Sequence, residues 1–168
     1  MASLVAMKKT LLAATALSLL TAGCTTMPPA PPPTPVAPVT APGPDYLIRN
    51  GQQAGVMTTA SGLQYFIIRS GPETGAMPVD GDTVTFHYEG KLTDGTTFDE
   101  SYSRGEPLAG EVTRFVPGFT EALKMMRPGD LWVIWIPPEL GYGSRELPGI
   151  PANSVLRFKL ELLEVEKG

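Results

Sequence analysis

The chain has 168 residues, of which 42% are hydrophobic and 18% charged, and its formal net charge is −4. This composition is typical of one globular domain with additional segments, and the absence of a basic stripe or a nucleic-acid-binding signature excludes nucleic acid as an expected partner. A single cysteine excludes an internal disulfide and a cysteine-rich zinc site, and a single histidine argues against a histidine-based metal site or triad, so we expect no metal.

The N-terminal segment has the features of a secretory signal. Lys8 and Lys9 precede a short apolar run over residues 10–20, which is followed by small residues and Cys24. The site resembles a bacterial lipobox, although Thr21 stands where leucine is usual. The resemblance implies that residues 1–23 are a lipoprotein signal peptide and that Cys24 carries lipid. The alternatives are ordinary secretion and an incidental thiol at Cys24.

The residues next to Cys24 also bear on location. Thr25 follows the cysteine, where an aspartate would resemble the inner-membrane retention signal. We therefore expect an anchor in the outer membrane, with the protein facing the periplasm. The inner membrane's periplasmic face and the soluble periplasm are the alternatives. Because the lysines usually follow the first methionine closely, Met1 and Met7 are both candidate starts.

A tether and a short lead-in are predicted over residues 24–57. Residues 25–44 carry no charge and are rich in proline, alanine, threonine and valine. Such a segment cannot bury a core and should be an extended, polyproline-like spacer. A proline-rich docking ligand is the alternative. A short helical turn is expected at residues 46–48.

The folded domain is predicted over residues 58–168, beginning with strands. Residues 63–68 are strand-like, and the alternation of Val84, Phe86 and Tyr88 with polar residues predicts a half-buried strand. A hairpin turn at residues 93–95 returns the chain as a strand over 96–99. Because His87 lies in the polar set, we expect it to be solvated or hydrogen-bonded at an edge rather than catalytic.

One short helix is predicted in the second half of the domain. Phe119, Ala122, Leu123 and Met126 form one apolar stripe, Pro117 suits a helix start, and a Pro-Gly pair follows the helix. A lone amphipathic helix among antiparallel strands should pack its stripe against the concave face of the sheet. Phe119 lies in the first turn, where a large ring can form the floor of a cleft.

Two further strands complete the pattern. Residues 131–136 are apolar on both faces, which predicts a central strand or one covered on its back. A loop rich in glycine and proline follows over residues 141–151. Residues 156–162 alternate strictly between apolar and polar, which predicts a strand with one buried face. The elements together predict an α+β fold, with an antiparallel sheet curled around one short α-helix.

Aromatic residues converge in this arrangement. The alternation of the strands and the position of the helix should bring five aromatic side chains together, those of Tyr88, Phe98, Phe119, Tyr142 and Phe158. An apolar cleft with a few polar tips is typical of a ligand site. The alternation of inward and outward residues is equally consistent with a well-filled core instead of a cleft.

The stretches that suggest a family are Val84–Leu92, Asp94–Asp99, Arg104–Pro107, Val116–Phe119, Ile136–Gly143 and Gly149–Pro151. These stretches resemble the FKBP-type peptidyl-prolyl cis–trans isomerases. They lie between about Thr58 and Val165 and follow one another in the order that the family has. The lead-in over residues 59–65 is similar to bacterial periplasmic members. The resemblance implies an enzyme without a cofactor that accelerates rotation of Xaa-Pro bonds and assists the folding of envelope proteins.

The resemblance also implies site residues. Isomerisation would rest on Tyr88, Phe98, Asp99, Phe119, Tyr142 and Phe158. Substrate binding would involve Phe115, Val116, Ile150, Arg104 and Leu108. Asp99 is expected to be a buried carboxylate held by Arg104 and the Tyr88 hydroxyl, with polarisation of the substrate as its alternative role.

Three positions depart from the family pattern. Phe119 replaces the usual tryptophan, and Leu108 and Gly110 stand where larger residues are common. We expect a pocket that is shallower on the Leu108 side and that binds macrolide ligands more weakly. The expected partners are unfolded proteins containing Xaa-Pro bonds, and we expect a monomer. A membrane-tethered binding or chaperone module with weak or no isomerase activity is the alternative function.

Overall fold

The computed structural model describes residues 44–168. The elements in chain order are α1 (Pro44–Gly51), β1 (Met57–Thr58), β2 (Gln64–Arg69), β3 (Thr83–Leu92), β4 (Thr97–Glu100), β5 (Leu108–Glu111), α2 (Pro117–Met125), β6 (Leu131–Ile136) and β7 (Leu156–Glu166). Two short 3₁₀ helices lie at Val112–Arg114 and Pro138–Leu140. The predicted signal peptide, most of the tether and Cys24 lie outside the described residues.

The strands form one antiparallel sheet in the order β1-β2-β6-β7-β3-β4, with β5 also paired to β3. β7 pairs with β3 along its whole length. β5 and β4 pair with the first and last parts of β3. Since β7 occupies one edge of β3, both short strands share the other edge.

Helix α2 packs its apolar stripe into the core, as predicted. Pro117 is at the start of the helix, where its missing N–H costs no hydrogen bond. Phe119, Ala122 and Leu123 are buried, and Met126 closes the helix by donating its N–H to the Leu123 carbonyl. The stripe joins the inward residues of β3, β6 and β7 in one core cluster. The expectation of a curled antiparallel sheet with this helix on its concave face is therefore confirmed.

A second, smaller core lies on the opposite face of β6. Val133, Trp135 and Val155 are buried there against Tyr46 and Leu47 of α1, together with Val56. The predicted cover on the back of β6 therefore exists. It is supplied by α1, whose acidic first turn and basic last turn complement the helix dipole.

Polar contacts hold α1 in place. The Trp135 Nε1–H donates to the Tyr46 hydroxyl at 3.1 Å. Buried Asn50 donates to the Gln64 side chain at 2.8 Å, and Gln64 donates to the Leu47 carbonyl at 2.8 Å. These bonds satisfy buried amide groups that would otherwise destabilise the fold.

The structure contains a second α-helix, α1, where the sequence predicted only a short helical turn, and residues of the predicted lead-in pack against the second core. Local pattern placed only a short turn at 46–48, because a helix of this length depends on tertiary contacts for its stability. Strand β5 was also not predicted. Among the helices of residues 44–168, none is sufficiently long and apolar to cross a membrane.

Candidate active site

A cavity of about 250 Å³ opens on the concave side of the sheet, where the start of α2 meets the β3–β4–β5 edge. Most of its wall is aromatic. It is lined by Phe86, Tyr88, Phe98, Asp99, Leu108, Arg114, Phe115, Val116, Phe119, Tyr142 and Phe158. The volume lies just below the range of roughly 300–1,000 Å³ for small-molecule pockets, so it suits one side chain with its neighbouring peptide group.

Phe119 forms the hub of the aromatic wall. Its ring centroid lies 5.1 Å from that of Phe158, 5.2 Å from Phe86 and 5.4 Å from Phe115. The Phe119–Phe158 pair is edge-to-face, at an interplanar angle of 84°. Such contacts are favourable beyond the burial of area, and they hold each ring in one orientation. The cavity is therefore a preformed apolar surface.

Gly90 permits the close approach of two other rings in the wall. A Cβ at this position would lie 2.7 Å from Phe98 and 2.8 Å from Phe158. These two rings meet at 90° with centroids 5.5 Å apart. A side chain at Gly90 would displace both rings, so the glycine in β3 is required by the shape of the cavity.

A polar triad closes one side of the cavity. The Tyr88 hydroxyl donates to Asp99 Oδ2 at 2.5 Å, and Arg104 donates to Asp99 Oδ1 at 2.9 Å and to the Tyr88 hydroxyl at 3.0 Å. The predicted partners of Asp99 are thus the observed ones. Its predicted burial is wrong, because the Asp99 side chain is 48% exposed. The short β4 strand at the sheet's edge leaves one side of the carboxylate open to water.

The contacts within the triad shift the pKa values of its members. Desolvation acts to raise the pKa of Asp99, but the hydrogen bonds from Tyr88 and Arg104 outweigh it, so the pKa lies below its ordinary value. Burial, followed by the hydrogen bond to Asp99, raises the pKa of Tyr88. Tyr88 therefore remains a neutral donor, and Asp99 a charged acceptor, at neutral pH.

The structure places most of the predicted site residues around this cavity. Leu108, Phe115 and Val116 line it together with the six residues proposed for isomerisation. The Val116 N–H donates no hydrogen bond to another of residues 44–168, which leaves it available to a ligand.

Two predicted binding residues lie differently from expectation. Ile150 is buried in the neighbouring core and does not line the cavity. Arg104 is outside the lining and acts on it only through Asp99 and Tyr88. Both therefore lie beside the cavity lining rather than in it.

Two lining residues were not identified from the sequence. Phe86 shares the inward parity of Tyr88 in β3, so the alternation could have indicated it. Arg114 lies in the short 3₁₀ helix before α2, where no periodic signal exists.

His87 lies away from the cavity lining, as its parity predicted. Its Nδ1 is 2.9 Å from the Ser101 hydroxyl, and its ring stacks on Tyr102 with centroids 4.9 Å apart. In the part of the chain from Pro44 onward, no group of three or more His, Cys, Asp or Glu side chains could hold a metal ion.

Comparison with known proteins settles the family. The profile of the family described as FKBP-type peptidyl-prolyl cis-trans isomerase matches residues 75–163, which include β3 to β6, α2 and most of β7. The chain belongs to this family. The FKBP-type resemblance seen in the motifs is therefore confirmed, and the match contains every lining residue of the cavity.

Individual relatives agree with the family match. FkpA of Escherichia coli, an FKBP-type peptidyl-prolyl cis-trans isomerase, is 44% identical over 126 residues, covering 75% of this chain and 46% of the relative. The outer membrane protein MIP of Legionella longbeachae is 43% identical over 128 residues, covering 76% and 54%. This FKBP-type chain thus spans about half the length of these curated relatives.

Solved structures show the same fold. The crystal structure of Escherichia coli FkpA aligns with a TM-score of 0.69 at 44% identity, covering 73% of this chain and 57% of that one. A peptidyl-prolyl cis-trans isomerase from Pseudomonas syringae aligns with a TM-score of 0.67 at 28% identity, covering 73% and 90%. The FKBP-type fold therefore extends over most of the described residues.

Proposed function

We propose that this FKBP-type protein is a peptidyl-prolyl cis–trans isomerase whose substrates are Xaa-Pro bonds in unfolded or partly folded proteins. The observation that carries the proposal is the preformed aromatic cavity, with its floor at Phe119 and its polar side at the Tyr88–Asp99–Arg104 triad. The family match and the isomerase names of several relatives support the same activity.

The chemistry required is rotation rather than bond breaking. Amide resonance opposes rotation with a barrier of about 18–20 kcal/mol. The twisted transition state has lost this resonance and has a less dipolar carbonyl, so an apolar wall favours it over the planar, well-solvated ground state. An acceleration of about 10⁴-fold requires only about 5.5 kcal/mol of this preference. No nucleophile or proton transfer is needed.

Each wall of the cavity has a role in this proposal. The prolyl ring would pack on Phe119 and Phe158, where burial of its methylenes is worth roughly 2–3 kcal/mol. The Tyr142 hydroxyl and the Val116 N–H would donate hydrogen bonds to carbonyl groups of the substrate and orient the peptide. The triad would hold Tyr88 against the prolyl pocket.

A proline-limited refolding assay tests the proposal. The full chain, purified in a mild detergent, should accelerate refolding, and Phe158→Ala should abolish most of the acceleration. Since loss of a core phenylalanine costs about 3–5 kcal/mol, folded protein must be verified by circular dichroism. Val155→Ala is the matched control, because it removes buried apolar volume from the second core, away from the cavity.

The alternative is a tethered binding module that uses the same cavity without catalysis. The exposed apolar side chains Phe66 and Ile68 on β2 favour it, since they offer a further surface to unfolded chains. Refolding at the buffer rate, together with binding of unfolded protein, would establish this alternative and exclude the enzyme.

We further propose that the protein is a lipoprotein at the periplasmic side of the outer membrane, tethered through Cys24 and acting as a monomer. The lipobox-like sequence before Cys24 supports the anchor. A 43% identical relative bears the name outer membrane protein MIP, which supports the location. The uncharged, proline-rich segment would then hold the cavity away from the bilayer.

A further inference from the structure

We propose that Arg114 gives the cavity a charge preference, so that it favours Xaa-Pro peptides with an acidic residue next to the proline. This inference rests on the proposed isomerase function and specifies its substrate class. Only two of the residues that line the cavity carry a charge, Asp99 and Arg114. Their environments differ in a way that determines which charge a peptide meets.

The charge of Asp99 is already compensated. Arg104 contacts Asp99 Oδ1 at 2.9 Å, and the Tyr88 hydroxyl donates to the other carboxylate oxygen. A cationic peptide side chain would therefore compete with Arg104 for a carboxylate that is already neutralised. The triad presents little net charge to a substrate.

The charge of Arg114 is much less compensated. Its nearest carboxylate is that of Glu111, where Nε and Oε2 are 3.9 Å apart, too far for a hydrogen bond. Glu111 also accepts a hydrogen bond from the Thr113 hydroxyl at 2.5 Å. The guanidinium therefore retains donors for a second carboxylate, and its planar fork suits bidentate binding.

The position of Arg114 fits a residue beside the proline rather than the proline itself. The aromatic floor at Phe119 is 5% exposed, whereas the Arg114 side chain is 79% exposed. Arg114 thus lies at the mouth of the cavity. When a prolyl ring occupies the floor, the flanking residues of the peptide must pass this mouth. A carboxylate there would be attracted, and an ammonium group repelled.

The expected size of the charge preference follows from the exposure of Arg114 to solvent. Ion pairs in water contribute little, so we expect the glutamate peptide to exceed its lysine counterpart about two- to five-fold in kcat/KM. Because the interaction is exposed, this ratio should approach one in about 0.5 M salt. A purely structural role of Arg114 would not produce such a salt-dependent ratio.

The experiment uses the full chain in detergent with two sets of short peptides, Ala-Xaa-Pro-Phe and Ala-Ala-Pro-Xaa, where Xaa is Glu, Gln or Lys. Preference for Glu over Lys in either set supports the inference. Arg114→Gln should abolish the preference, and Arg114→Glu should reverse it. Glu111→Gln should increase it, because that substitution removes the competing carboxylate.

Arg49→Glu is the matched control. It changes the net charge by the same amount as Arg114→Glu, but Arg49 is exposed on α1, which packs on the opposite face of β6. The Glu-to-Lys ratio should be unchanged in this variant. A ratio of one in the wild type, or a ratio that Arg114→Gln leaves intact, would overturn the inference.

A second measurement separates this inference from the proposed activity. Binding of the same peptides is followed by NMR titration of the labelled protein, which does not require turnover. Isomerisation without a charge preference refutes the role of Arg114 and retains the enzyme. Binding with the charge preference but no turnover supports the role of Arg114 and refutes the enzyme.

Discussion

The Tyr88 hydroxyl and the Asp99 carboxylate are joined by a 2.5 Å hydrogen bond across the β3–β4 hairpin. Tyr88 is 7% exposed and faces the apolar cavity, while half of the Asp99 side chain is in contact with water. Arg104 bonds to both. The triad therefore connects the inner wall of the cavity to the exposed edge of the sheet. Substitutions of its residues should separate effects on activity from effects on stability.

Tyr88→Phe should slow isomerisation while leaving the protein folded. The ring and its packing on Phe158 remain, but the hydrogen bonds to Asp99 and Arg104 are lost, at a cost of about 1 kcal/mol in stability. Urea unfolding and a peptide isomerisation assay measure the two effects. Tyr46→Phe is the control, since it removes a hydroxyl bonded to Trp135 in the second core and should leave the rate unchanged.

Asp99→Asn should reduce activity more than stability. The Asp99–Arg104 pair is about half exposed, so its loss should cost no more than about 1 kcal/mol in unfolding free energy. The loss of charge, however, frees Arg104 to move away from Tyr88. A variant with wild-type turnover would show that the charge of Asp99 is not needed to hold the wall.

The same substitution predicts a change in acid stability. Because the pKa of Asp99 is lowered in the folded state, its stabilising effect is present above the unfolded pKa of about 4 and is lost as the pH falls through the folded pKa. The wild type should therefore lose its advantage in stability over Asp99→Asn below about pH 4. Parallel melting-temperature curves for the two proteins down to acid pH would contradict this.

At alkaline pH, the ionisation of Tyr102 should lower the stability of the folded protein. Burial, followed by the charge of Glu161, raises its pKa to about 12. The folded state therefore holds this proton between about pH 10 and 12 while the unfolded state releases it, so stability falls across that window. The partial exposure of Tyr102 limits the effect to about 1 kcal/mol. Tyr102→Phe should show a smaller alkaline loss in urea titrations.

Helix α1 should contribute to stability without affecting catalysis. The double substitution Tyr46→Ala and Leu47→Ala uncovers the second core and should cost about 2–4 kcal/mol. The rate per folded molecule should be retained, since α1 covers the opposite face of β6 from the core that holds Phe119. Ile48→Ala on the same helix is the control, because Ile48 is 62% exposed and its loss should change stability by less than about 0.5 kcal/mol.

Cys24→Ser should release the protein from membranes with its isomerase activity intact. Stable attachment requires more than one acyl chain, and the diacylglyceryl thioether that the lipobox resemblance implies at Cys24 would supply two. Fractionation of cells that express the wild type and the variant measures the distribution. A serine variant that remains with the membranes would mean that the apolar run over residues 10–20 anchors the chain, and that the lipobox interpretation is wrong.

Much of the fold could be predicted because its elements carry local periodicities. The strict alternation of β7 identifies its buried face, and the stripe of α2 identifies the residues that fill the concave side of the sheet. The motifs around Tyr88, Phe119 and Tyr142 indicated the family and most of the cavity wall. These features lie within windows of a few residues, so the sequence alone contains them.

Other features were decided only by which distant segments meet. The apolar back of β6 predicted a cover, but only the contacts of Trp135 with Tyr46 show that α1 supplies it. The partners of Asp99 followed from the family motif, whereas its exposure depends on the position of β4 at the sheet's edge.

Arg114 shows the same division most clearly. In the sequence it is one more surface cation in an irregular stretch, without a period or motif of its own. In the structure the turn before α2 brings it to the mouth of the cavity, while Arg104 compensates the other charge there. The electrostatic character of the site was therefore decided by tertiary structure, because the field at a point depends on distances between groups that the order of residues does not specify.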